Sequence, residues 1–177
     1  MSENQQLNIV LIGDCKTGKS VFREMLINQK FNKEYNETNC VLTTQINIST
    51  NMFDITTVIW DIPGNGSGDE IFKKLCYRKL INVAIVFKYH PNNYTVSQHK
   101  IDILKSHNPK AFIIDIWNMS DLPEQQRFFQ QNSQNYIEVN RPYLQHNNTN
   151  YQNIVNIFQT ILCKIFHTNI YIKSILC

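Results

Sequence analysis

"GDCKTGKS" occupies residues 13–20 and fits the pattern G-x-x-x-x-G-K-[ST] at Gly13, Gly18, Lys19 and Ser20. Glycines at these positions permit tight curvature and a close approach of the backbone to a ligand. The N–H groups of such a loop point inward around a phosphate, and the following helix adds its positive N-terminal end. The lysine reaches the β- and γ-phosphates, and the hydroxyl binds Mg²⁺. The stretch therefore predicts a phosphate-binding loop for a nucleoside di- or triphosphate rather than a chance turn.

The segments on either side of this loop support the prediction. "LNIVLIG", residues 7–13, is a continuous apolar run that ends at a glycine, as is typical of a strand buried on both faces. "KSVFREMLINQ", residues 19–29, spaces its apolar residues as a helix with one buried face does. A glycine-rich loop between a buried strand and a helix is the setting in which the pattern binds phosphate.

Strands and helices alternate along the rest of the chain. Strands are predicted at 40–50, 53–62, 82–89, 111–117 and 135–139, and helices at 70–80, 94–107, 122–132 and 150–166. This alternation implies crossover connections, and so a mostly parallel six-stranded sheet with helices on both faces. We therefore expect an α/β three-layer sandwich, in which ligands bind at the carboxyl ends of the strands.

Length, charge and cysteine usage exclude several classes of protein. The 177 residues predict one domain with a sizeable core, and a net charge of +3 is too small to indicate a nucleic-acid partner. No apolar run is long enough to span a bilayer, and the polar start "MSENQQ" is not a signal peptide. The cysteines are scattered without a C-x-x-C pair, which favours a reduced, cytosolic setting over zinc or disulfides: Cys15, Cys40, Cys76, Cys163 and Cys177.

Five segments together resemble the Ras superfamily of small GTPases, and most closely its Rab branch: "GDCKTGKS", "FNKEYNET", "VIWDIPGN", "CYRKL" and "WNMSDL". The resemblance runs from Leu7 to Phe166 and rests on the order and spacing of the motifs. It implies a P-loop NTPase fold that binds GTP or GDP with Mg²⁺. The expected organisation is a polar extension at 1–6, a GTP-binding domain at 7–167 and a short tail at 168–177.

The resemblance implies a role for each residue around the phosphates. Thr38 would bind Mg²⁺ through its hydroxyl, as Ser20 does, and the γ-phosphate through its N–H. Asp61 would hold the metal through a water molecule, and Gly64 would donate its N–H to the γ-phosphate. The rest of the loop, with Tyr35, is expected to contact the nucleotide: Gly13, Cys15, Lys16, Thr17, Gly18, Lys19 and Val21.

The same resemblance implies how guanine would be recognised. Phe31 would pack on the edge of the base, and Asp121, with Asn118, would read it. A carboxylate that accepts two N–H donors explains the preference for guanine, because adenine offers no matching pair. Met119 replaces the lysine that normally lies along the nucleotide. In the last guanine motif, Asn140 is followed by Arg141 instead of a small residue, and only its backbone N–H is needed.

Each of these residues has a simpler interpretation when taken alone. Thr38 could be a solvated loop residue, Phe31 a core residue, and Asp61 the cap of a turn. Asn118 and Asp121 could be ordinary turn formers. Their combined order along the chain favours the nucleotide site.

Asn65 stands where the family has the glutamine that orients the attacking water. Its side chain is one methylene shorter, and misplacement of about an ångström can cost ~10²-fold in rate. We therefore expect a weak GTPase, with a catalytic set of Asn65, Lys19 and Thr38. Pro63 stiffens the backbone before Gly64.

Three functions remain open at this point. The first is a GTP-dependent switch in vesicle traffic, cytoplasmic or peripheral to membranes. It would bind effectors, exchange factors and GTPase-activating factors through the loops around 31–45 and 61–80, and Cys177 could carry a lipid. The second is a Ras-fold interaction module that no longer cycles between nucleotide states. The third, a P-loop phosphotransferase, would need a cluster of arginines in a lid, which the sparse arginines of this chain do not form.

Overall fold

The computed structural model describes residues 5–29, 37–88, 95–117 and 149–176. Six strands lie in these ranges: β1 Gln5–Gly13, β2 Leu42–Thr50, β3 Asp54–Asp61, β4 Val83–Lys88, β5 Phe112–Trp117 and β6 Ile172–Leu176. Four helices accompany them: α1 Lys19–Asn28, α2 Asp69–Tyr77, α3 Thr95–His107 and α4 Thr149–Phe166. The helix predicted at 122–132 and the strand predicted at 135–139 lie outside the described residues.

The six strands form one sheet in the order β5-β4-β1-β3-β2-β6. β1 pairs in parallel with β3 and with β4, and β4 pairs in parallel with β5. β2 runs antiparallel to β3, and β6 runs antiparallel to β2. The predicted α/β class with a six-stranded, mostly parallel sheet is confirmed.

Two hydrophobic clusters, one on each face of the sheet, hold the layers together. Along β1, Ile9 and Leu11 face the cluster that includes residues of α1 and α4, whereas Val10 and Ile12 face the cluster that includes residues of α2 and α3. All four side chains are fully buried. This two-sided burial explains why the four consecutive residues 9–12 are all apolar.

β6 gives part of the predicted tail a place in the sheet. The sequence analysis set residues 168–177 apart from the domain, but residues 172–176 pair with the second half of β2. Ile170 and Ile175 are 1% and 6% exposed and belong to the cluster beneath α1 and α4. The pairing has a physical reason, because an uncovered β2 would present unpaired N–H and C=O groups along its outer edge.

The candidate loop and Asp61 come together because β1 and β3 are neighbours. Leu11 is the partner of Asp61 in the parallel register, so the carboxyl ends of both strands lie side by side. α1 is fixed below these ends by Phe22, whose ring lies 5.3 Å from that of Phe87 and 6.0 Å from that of Phe158. The fold therefore positions the loop between rigid elements.

Candidate functional site

The loop at residues 14–18 turns sharply through two residues with positive φ. Gly18, the N-cap of α1, has a φ of 94°, and Lys16 has a φ of 63°. A residue with a Cβ adopts such a conformation at a cost of roughly 1–2 kcal/mol. Lys16 therefore holds a backbone conformation that usually favours glycine.

Two side chains of the loop converge on one carbonyl oxygen. Thr17 Oγ1 donates to the carbonyl oxygen of Asp14 at 2.8 Å, and Lys19 Nζ donates to the same oxygen at 2.7 Å. Lys19 is only 5% exposed. Burial lowers the pKa of Lys19, and the charge of Asp61 acts in the opposite direction. A buried ammonium at this position would be stabilised by the charge of a bound phosphate.

Two hydroxyls from separate parts of the chain meet beside the loop. Ser20 Oγ, at the start of α1, lies 2.6 Å from Thr38 Oγ1, which precedes β2. We refer to residues 37–41 as the switch I segment and to residues 62–68 as the switch II segment. The short distance means that the switch I segment is folded against the end of the phosphate-binding loop.

Asp61 is a buried carboxylate whose oxygens are left without hydrogen bonds. It is fully buried, and neither carboxylate oxygen has a hydrogen-bond partner in the described part of the chain. Arg23 Nε lies 3.5 Å from Asp61 Oδ2, at ion-pair distance. Burial raises the pKa of Asp61, against the effects of the neighbouring Ser20 hydroxyl, Lys19 and Arg23.

These groups have the chemistry that a hard cation requires. Mg²⁺ takes oxygen ligands, commonly one or two from the protein with the rest from phosphates and water. The hydroxyls of Ser20 and Thr38 and the open oxygens of Asp61 are donors of this kind. Residues 5–29, 37–88, 95–117 and 149–176 contain no cluster of three or more His, Cys, Asp or Glu side chains suited to a metal. A cation held by two hydroxyls and one carboxylate would take its remaining ligands from phosphates and water.

Gly64 brings the switch II segment into contact with the loop. A Cβ built on Gly64 would lie 2.3 Å from the backbone nitrogen of Cys15 and 2.5 Å from the carbonyl carbon of Asp14. Because both neighbours are backbone atoms, they cannot move aside as a flexible side chain would. Only glycine fits at this position while the two segments remain in contact.

Asn65 contacts the switch I segment with its amide group. Its Nδ2 lies 3.4 Å from Glu37 Oε1 and 3.4 Å from Asn39 Oδ1. Its Oδ1 accepts hydrogen bonds from the backbone N–H and the hydroxyl of Ser67, at 3.1 and 2.8 Å. Ser67 Oγ is also within 3.0 Å of the carbonyl oxygen of Asn39. The two switch segments are thus joined directly by polar side chains.

A buried lysine supports the switch II segment from the opposite side. Lys100, on α3, is 2% exposed. Its ammonium forms an ion pair with Asp69 at 3.0 Å and contacts the carbonyl oxygen of Pro63 at 3.4 Å. Lys100 therefore connects α3 to Pro63 within the segment and to Asp69 directly after it.

A family model described as the Ras family matches residues 8–167. The chain belongs to the Ras family. Ras-family proteins are small GTP-binding switches, and they bind guanine nucleotides. None of the curated proteins compared with this Ras-family chain matches it. No helix in the described part of the chain is long and apolar enough to cross a membrane.

In this Ras-family chain, the structure brings most of the expected phosphate-side residues together at one edge of the sheet. Lys19, Ser20, Thr38, Asp61 and Gly64 lie around the loop, as the contacts above describe. The half-buried Val21 packs against the hydrophobic cluster beneath α1 and α4. Tyr35, which was also expected to contact the nucleotide, lies outside the described residues. The same is true of the residues expected to contact the base: Phe31, Asn118, Met119, Asp121, Asn140 and Arg141.

Sequence reasoning missed the side chains that support the site. Arg23 beside Asp61, Lys100 beneath the switch II segment, and the polar pair Glu37 and Asn39 were not predicted. Lys100 immediately precedes Ile101, an apolar residue of the helix predicted at 94–107. A charged residue next to a buried position was the only signal, and it does not specify a partner.

Proposed function

We propose that this chain is a Mg²⁺-dependent guanine-nucleotide switch with slow GTP hydrolysis, similar to the Rab branch. The arrangement of Ser20, Thr38 and Asp61 carries the proposal: two hydroxyls 2.6 Å apart beside a fully buried carboxylate that lacks hydrogen bonds. Arg23 reaches this carboxylate only at the ion-pair distance of 3.5 Å, and burying a polar group without a hydrogen bond costs about 1–3 kcal/mol. Such a cost is understandable at a position where a ligand completes the site.

Each group would have a distinct part in binding. Ser20 and Thr38 would hold Mg²⁺ through their hydroxyls, and Asp61 would hold it through water. The metal would neutralise charge on the phosphates. Lys19 would exchange its bond with the Asp14 carbonyl for bonds to phosphate oxygens, and the buried ammonium would strengthen them because the local dielectric is low.

The switch itself would depend on the γ-phosphate. With GTP bound, the backbone N–H groups of Thr38 and Gly64 would both bind this phosphate, and its loss would release both segments. The contact between Gly64 and the loop backbone supports this proposal. Because the switch II segment lies directly against the loop, a small displacement of the segment would change its contacts.

Slow hydrolysis is supported by the orientation of Asn65. Both ends of its amide group are engaged, the nitrogen with Glu37 and Asn39 and the oxygen with Ser67. To orient a water molecule, the side chain would first have to give up these contacts, and it would still be one methylene shorter than a glutamine. We therefore assign Asn65 a structural role between the two switch segments.

A second candidate function, an interaction module that does not cycle, is favoured by the same contacts. The switch segments are connected through Asn65, Glu37, Asn39 and Ser67 without a contribution from a nucleotide. If these contacts are strong enough, the surface offered to partners would be the same in every nucleotide state. In both functions the partner surface would be formed by the loops around 31–45 and 61–80.

Base preference, location and partners remain part of the proposal. Guanine would be read by Asn118 and Asp121, with Phe31, Met119, Asn140 and Arg141 around the base. A cytoplasmic or membrane-peripheral role in vesicle traffic follows from the Rab likeness, with effectors and regulatory factors as partners. A lipid on Cys177 would be a weak anchor on its own.

Nucleotide binding tests the proposal directly. We expect GTP and GDP to bind the full chain much more tightly than ATP, with a loss of affinity when EDTA removes Mg²⁺. Hydrogen exchange of residues 37–45 and 61–69 should then be slower with a non-hydrolysable GTP analogue than with GDP. Equal exchange in both states would favour the non-cycling module. Failure of guanine nucleotides to bind, with or without Mg²⁺, would overturn the switch and favour the module that does not cycle.

A further inference from the structure

A cavity of about 540 Å³ lies where β4 and β5 begin. The candidate nucleotide site lies at the other end of the strands, where β1 and β3 end. The cavity is open to solvent and is bordered by the end of α2, the residues that lead into β4 and β5, and the end of α4. We call it the basic cavity, and its lining consists of Lys79, Ile81, Asn82, Asn108, Pro109, Lys110, Phe112, Lys164, Ile165 and His167. Its volume is typical of sites for small organic molecules, which span roughly 300–1,000 Å³.

The charge of this cavity has one sign. Three lysines and a histidine line it, and no aspartate or glutamate does. Within the described part of the chain, the cations seen in ion pairs with carboxylates are others: Arg23, Lys73, Lys88 and Lys100. The cavity therefore carries ammonium groups that are not neutralised by described carboxylates.

The helix ends near the cavity reduce this positive charge without cancelling it. α2, α3 and α4 end close to it, and each helix C-terminus carries roughly half a negative charge. Three such ends amount to about −1.5, against +3 from the ammonium groups of Lys79, Lys110 and Lys164. The positive charge of the three lysines is therefore about twice the negative charge of the helix ends.

The two asparagines are held in fixed orientations. Asn82 Oδ1 accepts a hydrogen bond from the backbone N–H of Asn8 at 2.7 Å, which leaves its NH₂ group available as a donor. Asn108, 5% exposed, donates from Nδ2 to the carbonyl oxygen of Ile81 at 2.6 Å. The free NH₂ group of Asn82 adds a hydrogen-bond donor to a site that already has several. The hydrogen bond from Asn108 fixes the backbone that leads into β4.

The remaining wall is apolar. Ile81 is 3% exposed, and Phe112 and Ile165 are half-buried. Lys164 Nζ lies 5.7 Å from the centre of the Phe112 ring, so one ammonium group is placed where the aromatic surface meets the charged part of the cavity. An occupant therefore needs a carbon skeleton as well as negative charge.

We propose that the basic cavity binds a small organic phosphate ester with more than one phosphate group, free or as the head group of a lipid. Its phosphates would contact Lys79, Lys110 and Lys164, and its carbon skeleton would pack on Phe112 and Ile165. Because this cavity and the phosphate-binding loop lie at opposite ends of the strands, the two sites do not compete. The inference is independent of the proposed nucleotide function.

Calorimetry with inositol 1,4,5-trisphosphate tests the proposal on the full chain. The titration is carried out on the Lys19→Met variant, in which phosphate binding to the loop near α1 is suppressed. We expect saturable binding, and replacement of both Lys79 and Lys110 by glutamine should weaken it about tenfold or more. Lys105→Gln is the matched control, because Lys105 is exposed on α3 and outside the cavity.

The source of the ligand is determined with vesicles. Vesicles that contain phosphatidylinositol 4,5-bisphosphate are compared with vesicles of the same surface charge made with phosphatidylserine. Binding to the first but not the second, lost in the Lys79→Gln/Lys110→Gln variant, would support the proposal with a lipid source. Binding of the soluble trisphosphate alone would support it with a free ligand. Absence of both, or equal weakening by Lys105→Gln with all variants folded by circular dichroism, would overturn it.

Discussion

Lys100 Nζ lies 3.0 Å from Asp69 Oδ1, so a lysine buried in α3 is paired with the first residue of α2. The two partners are unequally exposed: the Lys100 side chain is 2% exposed and the Asp69 side chain 37%. Water can therefore solvate the carboxylate if the lysine is removed, but it cannot solvate the ammonium if the aspartate is removed. This difference determines which substitution costs more.

We predict that Asp69→Asn destabilises the fold more than Lys100→Met does. Loss of one partner from a fully buried pair costs about 3–5 kcal/mol, and we expect roughly 2 kcal/mol for Asp69→Asn because Pro63 still accepts from the lysine. Lys100→Met removes a buried charge, so the free energy of unfolding should change by less than about 1 kcal/mol. Urea denaturation of both variants measures the difference.

A matched pair on the surface provides the control. Lys73 and Glu70 are 3.4 Å apart on the same helix, and Glu70 is 81% exposed. Glu70→Gln should therefore change the free energy of unfolding by no more than about 0.5 kcal/mol. If Asp69→Asn has an equally small effect, the pair with Lys100 does not hold the switch II segment.

The strand, the loop and the helix on the phosphate side could be predicted from the sequence because local rules act there. The glycine spacing of the loop, the buried strand before it and the helix after it each follow from backbone geometry. Thr38 and Asp61 were predicted through the family resemblance, and the structure brings Thr38 to within 2.6 Å of Ser20.

The supporting contacts were not predictable, because they join residues that are distant in sequence. Lys100 meets Pro63 and Asp69 only after α3 packs beside α2, and no local pattern indicates this. β6 shows the same limit. The sequence contains apolar residues after residue 169, but it does not show that they pair with β2. That pairing depends on the free outer side of β2, which exists only once the other strands have formed the sheet.

We predict that Asp61→Asn has opposite effects in the absence and presence of ligand. Burial raises the pKa of Asp61 above its ordinary value of 3.8, so its contribution to stability is full below this pH and is lost as the pH rises through the raised pKa. At neutral pH the charged form therefore destabilises the unliganded protein. Without a metal, Asp61→Asn should increase the free energy of unfolding by about 1 kcal/mol.

With Mg²⁺ and GDP present, the order should reverse. The wild-type protein should gain stability from the ligand, and the variant should gain little, because it lacks the carboxylate that we propose as a metal ligand. Denaturation with EDTA and with Mg²⁺–GDP measures both effects. Asp102→Asn, on α3 outside the site, should leave the gain unchanged. An equal gain in Asp61→Asn and the wild type would contradict the assignment of Asp61.

We predict that Asn65→Gln accelerates GTP hydrolysis whereas Asn65→Ala does not slow it. The added methylene would bring the amide to the attacking water, and correct placement is worth up to ~10²-fold. Alanine removes only the contacts with Glu37, Asn39 and Ser67, and we expect these contacts to have no part in hydrolysis. Single-turnover hydrolysis of radiolabelled GTP measures all three proteins, and a large loss of rate in Asn65→Ala would show that Asn65 does act on the water.

We predict that β6 is a structural part of the sheet, so that its buried face determines stability. Ile175 is 6% exposed and lies in the core cluster, whereas its neighbour Leu176 is 63% exposed. Ile175→Ala should reduce the free energy of unfolding by about 2–3 kcal/mol, and Leu176→Ala by less than about 0.5 kcal/mol. Ile175→Asp should detach the strand, expose the edge of β2 and promote aggregation, measured by light scattering. If both alanine variants unfold like the wild type, residues 172–176 contribute nothing to the fold and are a tail after all.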